Sequence, residues 1–191
     1  MTAPEVHVVG GAGLEAHADA LRAVYAEAFC APPWDEDPAR AEEFAGRLPA
    51  SVRCPGFRAA VAVRDGEVLG FATARTTPSP FPADRCYPQA EAGLGAERTA
   101  AWLVGAREVE ELAVRAGARG TGLAARLLTA VTADAPAGRC WLLTSVRAPR
   151  ALSFYRRQGW IQATHPSPDG QGTAVFLGPR HPSRSLVTGP L

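Results

Sequence analysis

The chain has 191 residues, of which 47% are hydrophobic, and a formal net charge of +1 at neutral pH. This length and composition predict one globular domain with a sizeable core, and the near-neutral charge gives no argument for binding nucleic acid or a membrane surface. No apolar run is long enough to span a membrane. The first residues lack the basic and apolar segments of a secretory signal, so we expect a cytoplasmic protein.

All twenty basic residues are arginine, which excludes chemistry that needs a lysine, such as Schiff-base enzymes, pyridoxal-phosphate enzymes and P-loop nucleotide hydrolases. A phosphate site in this chain must use backbone amides and guanidinium groups. The four cysteines include no C-x-x-C pair, and the four histidines form no close pair. We therefore predict reduced thiols and no metal site.

The first predicted element is a short strand at residues 6–9, followed by a glycine-rich segment at residues 10–13. A strand followed by a glycine-rich segment and a predicted helix is similar to a dinucleotide-binding fingerprint. That fingerprint needs a second strand that ends in an acidic residue about twenty positions later, whereas this region runs from Phe29 to Trp34 with two prolines. We interpret the glycines as a turn and keep a nicotinamide-dependent oxidoreductase, with its cofactor at residues 11–16, as the alternative hypothesis.

Apolar residues at helical spacing predict one helix over residues 14–29, which Pro32 and Pro33 end. A second helix is predicted from Pro38 to about Leu48. Several acidic residues lie around its start: Asp35, Glu36, Asp37, Glu42 and Glu43. They indicate either helix-start acids on a solvated face, or a surface that attracts a cationic amine, and the sequence does not decide between these two interpretations.

Residues 57–64 and 67–76, joined by Asp65 and Gly66, predict a β-hairpin. Residues 77–99 contain four prolines and two glycines, so we predict a long loop that faces a substrate. Phe81 and Tyr87 are the aromatic residues in this loop that could contact the substrate.

A central strand is predicted over residues 102–114 and an amphipathic helix over residues 121–134. The turn between them is dense in glycine and carries a permanent cation at Arg119. A helix start leaves N–H groups without partners, and glycines let a ligand approach the backbone closely. Such a turn can cradle a phosphate or diphosphate. The alternative is a tight turn that binds nothing.

The rest of the chain predicts a buried strand at residues 139–144 and a helix from Pro149 to Gly159. Strands at residues 160–163 and 172–177, joined by a turn at residues 166–170, complete the sheet. From residue 178 the sequence is polar, rich in proline and without periodicity, so we predict a tail over residues 178–191.

Two stretches match motifs at the expected separation. Residues 119–124, Arg-Gly-Thr-Gly-Leu-Ala, fit the pattern Arg/Gln-x-x-Gly-x-Gly/Ala after a predicted strand, and residues 151–160 fit Ala-x-x-Phe-Tyr-x-x-x-Gly-aromatic. Together they resemble the two cofactor motifs of the GCN5-related N-acetyltransferase (GNAT) superfamily. The resemblance covers residues 57–177 well and the amino-terminal helices loosely.

The resemblance implies an α/β (α+β) fold, in which a mixed, mostly antiparallel twisted sheet carries helices on both faces and is splayed at its centre to admit acetyl-CoA. It also implies a single acyl-CoA N-acyltransferase domain over residues 1–177. The implied activity is direct acetyl transfer from acetyl-CoA to a primary amine of a small molecule. The acidic residues favour a cationic acceptor, such as an amino sugar, a polyamine or an antibiotic.

The resemblance also assigns roles to residues. It assigns cofactor binding to Leu112, Ala113, Val114, Arg119, Gly120, Thr121, Gly122, Leu123 and Ala124. Tyr155 would protonate the leaving thiolate, and a base would lie two or four residues before Leu112, which selects Glu110 first and Glu108 second. Trp34 and Asp35 would line the acceptor pocket. Family members often have an asparagine at the position of Ala148, so one contact with the cofactor is missing here.

Each catalytic assignment has an alternative. Either glutamate could instead form a structural ion pair with an arginine such as Arg75 or Arg107, and Tyr155 could pack in the core beside Phe154. For the whole chain, the alternatives are a non-catalytic acyl-CoA-binding module and a peptide N-terminal acetyltransferase. The sequence leaves open whether the protein is a homodimer.

Overall fold

Seven strands form one sheet in the computed structural model of the chain, which describes residues 2–169, 172–187 and 189. The strands are β1 (Glu5–Val9), β2 (Arg58–Arg64), β3 (Glu67–Thr76), β4 (Arg107–Val114), β5 (Cys140–Ser145), β6 (Ile161–Gln162) and β7 (Thr173–Leu177). Their order in the sheet is β1-β2-β3-β4-β5-β7-β6. Strands β4 and β5 are parallel, whereas β1–β2, β2–β3, β5–β7 and β6–β7 are antiparallel. The predicted fold class, a mixed and mostly antiparallel sheet with helices, is confirmed.

The helices are α1 (Gly11–Glu15), α2 (Ala18–Phe29), α3 (Ala39–Ser51), α4 (Tyr87–Leu94), α5 (Ala96–Arg98), α6 (Leu123–Thr132) and α7 (Pro149–Arg157). Shorter turns are a π-helical turn at Thr99–Leu103 and 3-10 turns at Ala116–Ala118, Pro136–Gly138 and Pro182–Leu186. The chain divides into two compact units. The first contains the residues up to Arg75 together with Glu110–Ala133, and the second contains Thr76–Val109 and the residues from Asp134 onward.

The β2–β3 hairpin of the first unit forms where the sequence predicts it. Asp65 and Gly66 adopt φ values of 51° and 82°, which are the left-handed conformations that a tight hairpin turn requires. Arg64 therefore pairs with Glu67, and the two strands continue in antiparallel register.

Helices pack against this hairpin in the first unit. Helices α2 and α3 pack on each other, and their buried side chains share a core with the strands: Leu21, Val24, Phe44, Leu48, Ala59, Val61 and Phe71. Helix α6 packs on β1 and β2. A Cβ atom on Gly70 would lie only 3.2 Å from Leu127 Cδ1 and 2.8 Å from the Ala113 carbonyl oxygen, so this close packing requires glycine in β3.

The core of the second unit is built around Trp141 of β5, which is fully buried. Its indole Nε1 donates a hydrogen bond of 2.7 Å to Thr77 Oγ1, so the polar edge of the ring is satisfied. Other buried members of this core include Tyr87, Trp102, Leu103, Val175 and Leu177. Arg139 Nη2 donates to the carbonyl oxygens of Ala101 and Val104 and thereby holds the end of the π-helical turn.

The predicted loop over residues 77–99 is wrong in its second half, which forms α4 and α5. Pro88 lies in the first turn of α4, where a missing N–H costs nothing, and Gly95 ends the helix with φ 79°. The residues that indicate a loop are thus helix-end residues. The central strand begins at Arg107 and not at Trp102, because Trp102 lies in the π-helical turn.

The amino-terminal region also differs from the prediction. The glycine-rich segment predicted as a turn starts α1, and the single helix predicted over residues 14–29 is interrupted at His17, whose φ and ψ are −105° and 4°. No residue in the local sequence marks this break. The structure therefore contains two short helices where the apolar spacing predicts one.

The predicted tail is structured where the structure describes it. Residues Pro182–Leu186 form a 3-10 turn, and Arg184 donates to the Gly159 carbonyl oxygen just beyond α7. A positive charge is favourable there because the carbonyl end of a helix is partly negative. Residues 188, 190 and 191 of the tail, and Gly170 at the end of the predicted turn over residues 166–170, lie outside the described residues.

His181 in this segment is only 2% exposed. Its Nε2 lies 3.0 Å from the Trp102 carbonyl oxygen, and its Nδ1 accepts the Ser183 N–H at 3.2 Å. The ring is therefore neutral, with its proton on Nε2. Burial lowers the pKa of His181, and the charges of Arg139 and Arg184 lower it further, although the hydrogen bond to Trp102 opposes the shift.

This lowered pKa predicts an acid-sensitive fold. The contribution of His181 to the free energy of unfolding is complete above about pH 6.5, the pKa in the unfolded chain. It decreases as the pH falls toward the lower pKa of the folded state, because the unfolded chain takes up a proton that the folded ring does not. Urea unfolding over this range measures the effect. A wild-type protein that loses no more stability on acidification than His181→Gln would contradict it.

Candidate active site

The strongest site feature is the turn between β4 and α6, in the first compact unit. The chain leaves β4, makes the 3-10 turn Ala116–Ala118 and enters α6 at Leu123. Gly120 and Gly122 adopt φ values of 79° and 80°, a conformation that glycine adopts without strain. This is the physical reason for the glycines of the first motif.

The turn presents a row of free amides. Within the part of the chain that the structure describes, the backbone N–H groups of residues 120–125 donate to no protein acceptor. The first hydrogen bond of α6 runs from the Arg126 N–H to the Gly122 carbonyl oxygen, at 3.2 Å. A Cβ atom built on Gly120 or Gly122 would meet nothing within 4 Å. The surface is thus open, and a helix start with free amides binds phosphate groups well.

Two side chains of the turn hold its shape. Thr121 Oγ1 donates to the Ala118 carbonyl oxygen at 2.7 Å, and Arg119 Nε donates to the Val114 carbonyl oxygen at 3.3 Å. Arg119 is exposed, so its cationic group lies in solvent beside the free amides, where it can contribute to binding an anion.

A residue that the sequence analysis did not select also contacts this turn. Glu27 of α2 accepts the Ala116 N–H at 2.7 Å through Oε1 and an Arg115 Nη1 hydrogen at 2.8 Å through Oε2. The Ala116 N–H, and secondarily Arg115, lower the pKa of this carboxyl, against the effect of burial. Glu27 precedes the turn by almost ninety residues, and nothing in the local sequence indicates the contact.

The other predicted cofactor residues flank the turn. Ala113 and Leu123 are buried, whereas Leu112, Val114 and Ala124 are half-buried. The side chain of Leu123 packs inward, so its contribution to a cofactor site is its free backbone N–H. The roles implied for these residues stay predictions.

Glu110, the first candidate base, lies in the same unit. Its side chain is 9% exposed, and its Oε1 lies 3.1 Å from Arg75 Nε. The ion pair considered in the sequence analysis is therefore present. An ion pair and a catalytic role are not mutually exclusive, because a guanidinium group can also orient a carboxylate.

Glu110 lines a small, partly open pocket with a cavity volume of about 20 Å³, which has room for about one water molecule. The pocket lies between α3 and strands β3 and β4, and its walls are Phe44, Arg47, Leu48, Ser51, Phe57, Thr73, Glu110 and Glu111. Arg47 Nη2 lies 3.7 Å from Glu111 Oε1. Sequence reasoning identified none of the α3 residues, because they reach the pocket only through the packing of the helix on the sheet.

Trp34 and Asp35, the predicted acceptor residues, are not among these walls. Trp34 packs edge-on against Phe29 with ring centroids 5.8 Å apart, and Asp35 is exposed. Much of the acidic segment is used structurally. Glu36 accepts from Tyr25 Oη at 2.8 Å, and Asp37 accepts the Ala39 N–H at the start of α3. The acceptor role of Trp34 and Asp35 stays a prediction.

Glu108, the second candidate base, lies in the second compact unit. It is 6% exposed and accepts a hydrogen bond of 2.8 Å from Tyr87 Oη. Tyr87 is itself only 2% exposed and packs against Phe81 and Trp141. Tyr87 is thus a core residue, and its side chain is not available to contact a substrate.

Tyr155 also lies in the second unit, on α7. Its ring is half-buried and contacts Phe154, Trp160 and Phe176, with centroid separations of 5.1, 6.0 and 6.5 Å. The spacing of the second motif, in which an aromatic residue follows the glycine, serves this packing. Ala148, at the position where the family resemblance predicts an asparagine, is buried at the amino-terminal end of α7.

Residues 2–169, 172–187 and 189 contain neither a metal-binding cluster nor a membrane-spanning helix. No three His, Cys, Asp or Glu side chains in these ranges lie close enough together to hold a metal ion. In the same ranges, no helix has the length and apolar character needed to cross a bilayer. The four cysteines are free thiols.

Residues 19–160 match the sequence model of the Acetyltransferase (GNAT) family. No curated protein matches the chain. Among solved structures, the chain is similar to the histone acetyltransferase HPA2 and related acetyltransferase from Corynebacterium glutamicum, with a TM-score of 0.63 and 19% identity. That comparison covers 94% of this chain and 97% of the other.

Two further structures have the same fold. One is an acetyltransferase from Thermus thermophilus, with a TM-score of 0.61, 16% identity and coverage of 92% of this chain and 96% of the other. The other is the PaiA N-acetyltransferase from Thermoplasma acidophilum in complex with coenzyme A, with a TM-score of 0.57, 11% identity and coverage of 93% and 99%.

Proposed function

Because the chain belongs to the Acetyltransferase (GNAT) family, we propose that it transfers an acetyl group from acetyl-CoA directly to a primary amine of a small molecule. The observation that carries this proposal is the row of free amides at residues 120–125, whose geometry suits a diphosphate. Acetyl-CoA supplies an acyl group activated as a thioester. The residues of this chain bind it, orient it and move protons.

In the transfer, the amine nitrogen forms a bond to the acetyl carbon, the carbon–sulfur bond breaks, and its electron pair stays on sulfur. An alkyl amine with a pKa near 10.4 is unprotonated in only about one molecule in a thousand at neutral pH, so the reaction needs a base. We assign this role to Glu110, because its carboxylate lines an open pocket. Glu108 is second, because it lies in the core beside Tyr87.

The leaving thiolate needs a proton, and the family resemblance assigns this donor role to Tyr155. A phenol with a pKa near 10 can donate a hydrogen bond or a proton to a thiolate. The protonated amine loses two protons as it becomes an amide: the first passes to Glu110 and frees the nitrogen lone pair, and the second leaves as the carbon–sulfur bond breaks. Tyr155 protonates the thiolate and is reprotonated from solvent, and Glu110 returns its proton to solvent, so one proton is released to water in each turnover.

The pocket beside Glu110 is small. Its cavity volume of about 20 Å³ has room for about one water molecule and is far below the roughly 300 Å³ at which ligand pockets begin. The carboxylates of Glu110 and Glu111 line it, and each faces an arginine. The proposal of a small-molecule amine therefore rests on the family resemblance and not on the size of this pocket.

Release of free thiol from acetyl-CoA in the presence of a panel of amines tests this function. The panel should contain amino sugars, polyamines, small aryl and alkyl amines, and peptides with free amino termini. Turnover with compact amines supports the proposal, and turnover confined to the peptides favours a peptide N-terminal acetyltransferase. Tight binding of coenzyme A without turnover of any amine would favour a non-catalytic acyl-CoA-binding module.

Glu110→Gln is expected to lower kcat/KM by about a hundredfold at neutral pH, because the amide cannot accept the proton of the amine. The deficit should shrink as the pH rises toward the pKa of the amine, since solvent then supplies the neutral nucleophile. The pH profile of thiol release measures both effects.

Glu111→Gln is the comparison variant, because Glu111 lines the same pocket and also faces an arginine. Glu111→Gln removes a charge from the pocket but not the proposed base, so it should raise the KM for the amine and leave kcat nearly unchanged. If the two variants have the same pH profile, Glu110 is not the base.

A further inference from the structure

We propose that Glu27 is a positioning residue that holds the β4–α6 turn in the conformation that binds the diphosphate of coenzyme A. This inference rests on the proposed function. It concerns a residue of α2, outside both sequence motifs.

The contact that carries it is a two-point attachment. One carboxylate oxygen of Glu27 accepts the Ala116 N–H at 2.7 Å, and the other accepts from Arg115 Nη1 at 2.8 Å. Arg115 is held in turn by β3, because its Nε donates to the Val68 carbonyl oxygen and its backbone N–H donates to the Leu69 carbonyl oxygen, both at 2.9 Å. The start of the turn is therefore attached to both α2 and β3.

This attachment lies directly before the free amides. Ala116 begins the 3-10 turn, in which the Ala118 N–H bonds to the Arg115 carbonyl oxygen and the Arg119 N–H bonds to the Ala116 carbonyl oxygen. The free amides begin one residue after Arg119. Amides that are already aimed at a ligand bind it more tightly than amides that must first be ordered.

The charge of the attachment is also balanced. A carboxylate beside an anion site would repel the ligand, but the Arg115 guanidinium offsets the charge of Glu27. Arg119 is not hydrogen-bonded to Glu27 and remains exposed on the ligand side of the turn. Arg115 thus offsets the charge of Glu27 at hydrogen-bond distance, and the charge of Arg119 also contributes to the lowered pKa of this carboxyl.

The ordinary alternative is a surface ion pair of small effect, since the two side chains are 27% and 35% exposed. The chain offers a matched control. Glu67 Oε1 also faces Arg115, at 3.5 Å from Nε, and its side chain is 58% exposed. Glu67 makes an ion pair with the same arginine but does not bond to the turn amide.

The experiment compares Glu27→Ala, Glu27→Gln and Glu67→Gln with the wild type by calorimetric titration with coenzyme A and by steady-state kinetics. We expect Glu27→Ala to raise the Kd for coenzyme A and the KM for acetyl-CoA by about tenfold, the effect of losing a hydrogen bond to a charged group. The kcat and Tm should stay near the wild-type values. Glu27→Gln keeps an acceptor for the Ala116 N–H, so its Kd for coenzyme A should lie between those of Glu27→Ala and the wild type. Glu67→Gln should have the same Kd as the wild type.

Equal affinity for coenzyme A in Glu27→Ala and the wild type would overturn the inference. So would a fall in Tm and kcat together, which indicates a general structural role. A wild-type protein that binds no coenzyme A would refute the proposed function instead. Hydrogen exchange at the amides of Ala116, Ala118 and Arg119 still decides the positioning role in that case, because faster exchange in Glu27→Ala supports it and unchanged exchange refutes it.

Discussion

Tyr155→Phe is expected to lower kcat for acetyl transfer by about 10²- to 10⁴-fold, the usual contribution of a positioned acid, without changing the affinity for coenzyme A. Phenylalanine preserves the ring that contacts Trp160 and Phe176, so the substitution removes only the phenolic hydroxyl. The thiolate then leaves without a proton donor. Thiol release at saturating substrates measures kcat, and calorimetric titration measures binding.

The matched control is Tyr87→Phe, which removes a phenol from the same compact unit. Tyr87 Oη bonds to buried Glu108, so its loss should lower the Tm, because a buried acceptor is left with fewer partners. We expect a much smaller effect on kcat than at Tyr155. An unchanged kcat in Tyr155→Phe would instead mean that Tyr155 is a core tyrosine, the alternative considered from its place beside Phe154.

Gly122→Val is expected to weaken the binding of coenzyme A by about a hundredfold. Gly122 has φ 80° at the start of α6, a conformation that strains a β-branched residue by about 1–3 kcal/mol. The turn can relieve this strain only by rotating the amides of residues 120–125 away from their present directions. Calorimetric titration with coenzyme A measures the loss, and thermal unfolding shows whether the fold survives.

Gly117→Val is the control in the same turn. Gly117 is exposed, its φ is not positive, and an added Cβ would meet nothing within 4 Å. Valine at this position adds bulk without the left-handed strain, so coenzyme A should bind nearly as tightly as to the wild type. Equal losses in the two variants would show that the positive φ of Gly122 is unimportant for binding.

Local patterns predicted much of this protein correctly. Asp65 and Gly66 predicted the hairpin because a two-residue turn must adopt positive φ values that few residues tolerate. The glycines before α6 predicted an open turn for a similar reason. The resemblance carried by residues 119–124 and 151–160 led to the family that the sequence model also matches. In each case the prediction depends only on residues that are close together in the sequence.

The same local reasoning was wrong where a residue type has two uses. Pro88 and Gly95 occur in loops, but they also begin and end helices, and here they bound α4. Only the burial of Tyr87 and Leu94 distinguishes the two uses. That burial comes from packing against distant parts of the chain, which a window of a few residues does not contain.

The sequence by itself therefore determined the strands, the hairpin, the glycine turn and the two motifs, because backbone geometry and side-chain periodicity act over a few residues. Tertiary structure alone decided which distant side chains contact the glycine turn and Glu110. Glu27 reaches Ala116, Arg75 pairs with Glu110, and α3 forms a wall of the pocket. These contacts join residues that are far apart in the chain, and they form only when helices and strands bury their apolar faces together.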